Sequence, residues 1–324
     1  MRGGSTIAVF AACVAWFGMQ QRSAAASNGS ILFVDDDGAQ CPGAFRTIQE
    51  AVAQAAPGST ILVCPGIYRK TVKLSGKDNE GMQLIALGHP GDVVLQGDHT
   101  EPFGFHLQDV ENVLIRGFTV LDFGNKPTTA SQYGNGCAIH LANSNYNTVE
   151  NNRLSRADMT GINVLNSAHN IIRYNLISEI DPKGFGNGIW LQGKRTSGNL
   201  VFQNYAYLQP GAGIIVWNAG EDNVITDNAF NNNGQWGISH RDTAGTLIEG
   251  NRFSYNAGNW GVITFLNDRR SIGIELRNSD RVVLRGNMAS NNTRLDISWD
   301  KKGDVVFADN ACAVADQAGL CGHN

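Results

Sequence analysis

The stretch Ile162-Asn163-Val164-Leu165-Asn166-Ser167-Ala168-His169-Asn170-Ile171-Ile172-Arg173-Tyr174-Asn175 decides the fold, because the chain repeats it. It begins apolar-x-apolar, passes a polar turn, rises through a second apolar run and ends on Asn. Five other stretches superpose on it: FHLQDVENVLIRG from Phe105, IHLANSNYNTVENN from Ile139, ISHRDTAGTLIEGN from Ile238, IELRNSDRVVLRGN from Ile274 and ISWDKKGDVVFADN from Ile297. Copies from Ile189 and Ile214 fit with one or two extra turn residues. The eight copies start 34, 23, 27, 25, 24, 36 and 23 residues apart. Short β-type runs at a period near 24 mark a solenoid whose repeats stack on one another. The fold class expected is all-β, a single-domain parallel β-helix.

Within each copy the side chains of a strand alternate between inside and outside. Phe105, Ile139, Ile162, Ile189, Ile214, Ile238, Ile274 and Ile297 then form one inward column. Asp109, Asn143, Asn166, Asn218, Asp242 and Asn278 form a polar ladder at the following turn. A second ladder runs through Asn152, Asn175, Asn204, Asn228, Asn251, Asn287 and Asn310. Asn tolerates left-handed backbone and its amide bonds the coil above and below, so these asparagines read as structure, not catalysis.

The ends have their own signals. Arg2, the apolar run Thr6 to Met19 and Ala24-Ala25-Ala26 read as a secretory signal over residues 1–26. Residues 27–104 hold an N-terminal cap and the first coils, 105–311 the repeats and 312–324 a tail. Thr47 with Glu50 forms a capping box for a helix carrying Ile48, Val52 and Ala55, stopped by Pro57-Gly58. Such a helix covers the open end of a solenoid. Of six cysteines, Cys13 lies in the leader. Cys41 and Cys64 flank the helix, and Cys312 and Cys321 close a short loop, so two local disulfides are expected in an oxidising compartment. Cys137 is left as a buried thiol. A secreted or periplasmic location is expected, with no membrane span once the signal is cleaved. The net charge of −4 carries no nucleic-acid footprint, so no nucleic-acid partner is expected, and a monomer is.

The run FRTIQEAVAQAAPGSTILVCPGIYRKTV from Phe45 resembles the N-terminal segment of pectin-lyase-like right-handed parallel β-helix proteins. The Asn-rich coils resemble repeats of mannuronan epimerases and of nitrous oxide reductase accessory proteins. The resemblance implies a right-handed coil. It leaves activity open, because that superfamily spans lyases, hydrolases, esterases, epimerases and non-enzymes. The Asn-Thr-Asp pattern of polygalacturonases and the Arg-x-Pro-x-x-Arg pattern of pectate lyases are missing. Where mannuronan epimerases carry Asp-Pro-His, this chain has Asp181-Pro182-Lys183-Gly184.

Chemistry is sought on the outward positions, where neighbouring coils lie about 4.8 Å apart. Trp190 and Trp217 sit on adjacent coils and suit stacking against sugar rings, with Gln192 beside them. Arg241, Arg277, Glu275 and Asp300 cluster on successive coils. Paired guanidinium groups suit a uronate carboxylate, and a salt-bridge ladder is the structural alternative. His106 and His140 also fall on adjacent coils and form a candidate metal pair, though two imidazoles are an incomplete set. His240 points inward. Long connections at Asp122–Asn135, Asp181–Asn187 and Ala257–Ile272 occur at one turn and wall one side; the longest carries Trp260. These features predict an exported, carbohydrate-active protein that binds an acidic polysaccharide. In any proton abstraction from it, of lyase or epimerase type, His140 or Glu275 would handle the proton and Arg241, with Arg277, would bind and acidify the carboxylate, while Trp190, Trp217, Trp260, Gln192 and Asp300 hold substrate. No cofactor is required; Ca2+ is the ion such chemistry admits. The competing expectation is a non-catalytic accessory, metal-binding or cell-surface protein.

Overall fold

A computed structural model describes residues 29–41, 43–124, 136–181, 184–256 and 271–322. The signal segment predicted at 1–26 and Trp260 lie outside the described residues. The chain winds into stacked coils, each placing one strand in each of three parallel sheets of 11, 9 and 9 strands. One sheet has long strands, among them Cys137–Ala142, Thr160–Leu165, Asn187–Gln192, Ala212–Trp217, Trp236–Ala244 and Ile272–Asp280. Strands of the other two are mostly three or four residues long.

The inward column stands as predicted. Ile139 pairs with Ile162, Ile162 with Ile189, Ile189 with Ile214, Ile214 with Ile238, Ile238 with Ile274 and Ile274 with Ile297. All are fully buried in one continuous apolar core that runs the length of the coil. Stacking β-branched residues on themselves fills that core with little rotamer freedom to lose.

Strict alternation fails at one position. The pairing skips the residue before each inward Ile: Trp236 pairs with Ile272 and Ile238 with Ile274, leaving Gly237 and Gly273 between. A Cβ on Gly213 would meet the Phe230 Cβ at 2.6 Å, and one on Gly237 the Phe253 ring at 2.7 Å. The backbone bends inward at these glycines because only Gly permits that approach. The residue before the bend then faces outward, so Ala212, Trp236 and Ile272 form a small apolar cluster separate from the core.

Buried asparagine amides tie coil to coil. Asn228 Oδ1 accepts from the Asn204 backbone N–H at 2.9 Å and from Asn204 Nδ2 at 3.0 Å. Asn228 Nδ2 donates to Asn251 Oδ1, Val201 O and Thr226 O, each at 2.9 Å. The same unit repeats from Asn152 to Asn310. Two further ladders flank it: Asn147, Asn170, Asn199 and Asn223 on one side, and Gln209, Asn233, Asn256 and Asn292 on the other. Asn223, Asn228 and Asn233 stand five residues apart, one at each end of a three-residue strand and its corner.

The ladder predicted at Asp109, Asn143, Asn166, Asn218, Asp242 and Asn278 is different in kind. These residues take left-handed backbone, φ 45–54°. That conformation turns most of their side chains toward solvent, so they chiefly make the turn, with the Asn278–Asp242 bond as an inter-coil tie, and the buried asparagines carry the continuous ladders.

Both ends are closed. Thr47 and Glu50 form the expected capping box on the helix Ile48–Gln54, which buries Ile48, Ala51 and Val52 against the first coil. Disulfides join Cys41 to Cys64 and Cys312 to Cys321. The tail pairs Ala315 with Ile297, and Asp296 Oδ2 accepts from the Ala313 and Val314 amides. Cys137 is buried and joins neither disulfide; burial pushes its thiol far above the ordinary range. No helix among the described residues is long and apolar enough to cross a membrane.

Replacing Asn228 by Leu leaves buried donors and carbonyls on both neighbouring coils unpaired. It is expected to cost about 3 kcal/mol in denaturant unfolding, against about 1 kcal/mol for Asn218→Ala at a left-handed turn. Equal costs would refute the ladder as the stronger tie. His240 supplies a second check. It is fully buried, with Nδ1 2.8 Å from Ser279 Oγ and Nε2 3.0 Å from Thr246 Oγ1. Burial lowers its pKa from 6.5 to about 3. Above pH 6.5 neither state is protonated; between 6.5 and about 3 only the unfolded chain takes the proton, so stability falls as pH drops. A His240→Gln variant is expected to lose less stability than the parent between pH 7 and 5, by up to about 1.4 kcal/mol per pH unit. Identical pH slopes would count against this.

Candidate functional site

The outer face of the long-strand sheet carries a cleft of about 490 Å3 near its C-terminal end. Trp190, Ile215, Trp217, Trp236, Ser239, Arg241, Asp242, Arg277, Asn278, Asp300 and Lys302 line it. Pairing of Trp190 with Ile215, and of Trp217 with Arg241 and Arg241 with Arg277, sets these side chains in adjacent rows.

The tryptophans are unequal. Trp190 is 7 % exposed and Trp217 47 %, and their rings stack with centroids 6.2 Å apart at 23°. Trp217 Nε1 donates to Asp242 Oδ2 at 3.3 Å, which fixes the exposed ring. Trp236 closes another wall, and the Arg241 guanidinium lies 4.6 Å from its centroid in a cation–π contact.

The charged residues are unequal too. Glu275 is buried, and its Oε2 accepts from Arg241 Nε at 2.9 Å, from Arg241 Nη2, and from Ser239 Oγ at 2.9 Å. Arg277 is exposed, and its guanidinium forms no hydrogen bond or ion pair with a described residue. The neighbouring carboxylates are occupied: Asp242 Oδ1 accepts from Asn278 Nδ2 at 2.8 Å, and Asp300 accepts from the amides of Asn278 and Lys302, each at 3.1 Å. The salt-bridge ladder foreseen for all four residues is therefore realised only at Arg241–Glu275.

Of the residues singled out from sequence, Trp190, Trp217, Arg241, Arg277 and Asp300 meet in the cleft, with Glu275 directly behind Arg241. Gln192 lies beside it and donates from Nε2 to Asn163 Oδ1 at 2.9 Å. Trp260 is outside the described residues. His140 and Glu275, the two alternatives for handling a proton, stand apart: five coils separate them, about 24 Å at the strand spacing, and only Glu275 adjoins Arg241. Sequence reasoning missed Trp236, Asp242, Asn278 and Lys302 as cleft residues. The Gly recurring before Ile162, Ile189, Ile214, Ile238 and Ile274 was the available signal for Trp236, since it reverses the facing of the residue before it.

His106 and His140 face each other across the sheet with ring centroids 5.3 Å apart, and Phe103 stacks on His140 at 4.6 Å. Burial lowers His140 to about 3; burial and the Lys73 charge lower His106 to about 4. Both imidazoles are neutral at pH 7, and His140 Nδ1 is buried with no hydrogen-bond partner. Two nitrogens do not complete a metal shell. Among the described residues the only cluster of three metal-ligating groups is Asp35, Asp36 and Asp37, hard oxygens remote from the pair in sequence. Asp35 is already committed there, accepting from the amides of Gly38, Gln40 and Cys41. Among the described residues no third metal-ligating His, Cys, Asp or Glu joins the histidine pair.

Residues 115–264 match the family described as periplasmic copper-binding protein (NosD), and residues 219–324 match the right handed beta helix region. No curated protein matches in sequence. Solved structures do match in shape. An alginate lyase from Paenibacillus sp. strain FPU-7 aligns with TM-score 0.63 at 15% identity, over 91% of this chain and 98% of its own. The A-module of mannuronan C-5 epimerase AlgE4 from Azotobacter vinelandii gives 0.58 at 16%, over 81% and 70%. DFA-IIIase from Arthrobacter chlorophenolicus A6, solved with DFA-III, gives 0.59 at 14%, over 90% and 86%. At such identities the likeness is one of fold. Three continuous parallel sheets, with residues 219–324 matching the right handed beta helix region, give this protein a parallel β-helix fold, and the solved structures share that shape over more than four-fifths of the chain.

Proposed function

We propose that the protein binds an acidic polysaccharide in the tryptophan–arginine cleft, and does so in the periplasm or outside the cell. One observation carries the reading: Trp217, half-exposed and braced by Trp190 and Asp242, stands beside Arg277, which has no ion-pair partner among the described residues. An exposed indole is costly in water unless a ring covers it, and a sugar presents an apolar face of that size. A guanidinium beside it suits a carboxylate on the same sugar. Two disulfides suit an oxidising compartment. Alginate and mannuronan stand in the names of two structures of the same shape, which agrees with a polyuronate ligand.

Binding is favoured over proton abstraction by the state of the acid–base candidates. Glu275 is held by Arg241 and Ser239, and protonating it would break that ion pair. His140 stands about 24 Å away along the sheet.

In affinity electrophoresis, alginate and pectate are expected to retard the parent protein, less so as salt rises. Trp217→Ala should weaken retardation about 3- to 10-fold, the range of one stacking contact. A parent that migrates unchanged in every polyuronate tested would refute the reading, and release of unsaturated product would replace binding with lyase chemistry.

Copper binding is not carried over from the family description, because the described residues place no third His, Cys, Asp or Glu ligand beside the histidine pair. Copper titration of the parent and of a His106→Ala/His140→Ala variant is expected to give the same uptake. A stoichiometric site lost with the two imidazoles would overturn this.

A further inference from the structure

Resting on the polyuronate reading, we propose that the two cleft arginines divide the work: Arg277 selects the ligand carboxylate, and Arg241 is a positioning residue that holds Trp236 as a stacking wall.

The two face each other directly across adjacent strands, so sequence position does not distinguish them. Their surroundings do. Arg241 spends Nε and Nη2 on one oxygen of the buried Glu275, and its planar face covers the Trp236 ring at 4.6 Å. Its charge is compensated and the edge that would grip a carboxylate in a fork is used. A ligand carboxylate arriving there would have to displace Glu275, leaving that acid buried beside Ser239 without its counter-ion.

Arg277 has the opposite character. It is exposed, lines the cleft, and its donors are unclaimed by any described residue. Asp242 and Asp300 turn their oxygens to Asn278, Trp217 and the Lys302 amide, and neither forms an ion pair with Arg277. Like charges directly across a sheet repel, and Glu275 relieves that repulsion by neutralising Arg241 alone. The arrangement leaves one uncompensated fork next to one exposed indole, which suits a sugar ring on Trp217 with its carboxylate turned to Arg277.

The test compares a polyuronate with its carboxyl-reduced, neutral form, using calorimetry on the full chain. Arg277→Gln is expected to weaken polyuronate binding about 10- to 100-fold, the value of a lost charge-assisted pair, and to leave the neutral polymer within about twofold. Arg241→Gln should weaken both polymers and shift tryptophan emission, and Arg241→Lys should not rescue it, because an ammonium cannot both fork to Glu275 and cover the indole. Should Arg241→Gln fail to fold, Glu275→Gln decides: it frees the Arg241 charge and is expected to tighten polyuronate binding. Equal losses on both polymers for Arg277→Gln, discrimination lost only in Arg241→Gln, or weaker polyuronate binding in Glu275→Gln would each overturn the division of roles. A parent that binds neither polymer would instead overturn the polyuronate reading, and this inference with it.

Discussion

The buried asparagine amide is the contact on which the rest of the structure depends. A parallel coil must satisfy backbone groups at three corners per turn, where the chain leaves one sheet and has not yet entered the next. Each Asn solves this for two coils at once. Its oxygen takes the backbone and amide donors of the coil before, and its nitrogen reaches the amide oxygen of the coil after and a carbonyl of the coil before. Because the amide reaches only one coil spacing, the ladders also hold the rise per turn near the strand separation. The apolar column and the amide ladders therefore impose the same register, and their agreement makes the stack unique.

Fixing the interior so tightly frees the exterior. Outward positions of the long-strand sheet pass from Phe103, His106 and His140 at one end to Trp217, Arg241 and Arg277 at the other without disturbing the core pairs behind them. Function on such a face is written by which side chains share a row across strands, not by which are adjacent in sequence. Arg241 and Arg277 are 36 residues apart yet directly paired, whereas His140 and Glu275, both outward on the same sheet, are five coils apart.

The coil, its inward column and the Asn152–Asn310 ladder were legible because each depends on a one-residue pattern repeated many times. The capping box and both disulfides were legible for a local reason, being set by neighbours in sequence. Three things were not. Trp236 was hidden because the glycine bend before Ile238 breaks the two-residue alternation that assigns facing. The outer ladders through Asn147 and Asn233 were overlooked because their spacing of five from the central ladder appears only once strand length is known. The inequality of Arg241 and Arg277 was unreadable, since both occupy the same position of the repeat and differ only in what lies behind and beside them.

That inequality is the most informative feature of the face. Elsewhere on the coil, arginines directly across from acids pair with them: Arg173 with Glu150, and Arg285 with Glu249. Such pairs are the ordinary way a stacked sheet spends its charges. At Arg241 the partner is Glu275, from the neighbouring coil and the adjacent outward column, and the pair also engages Ser239 and the Trp236 ring. Arg277 then stands where the pattern elsewhere would supply an acid and supplies another arginine. An exposed cation without an ion-pair partner among the described residues, in a cleft walled by three indoles, departs from the pairing seen on the neighbouring 11-stranded sheet. The interior gains nothing from it, which supports the proposal that the cleft receives a carboxylate.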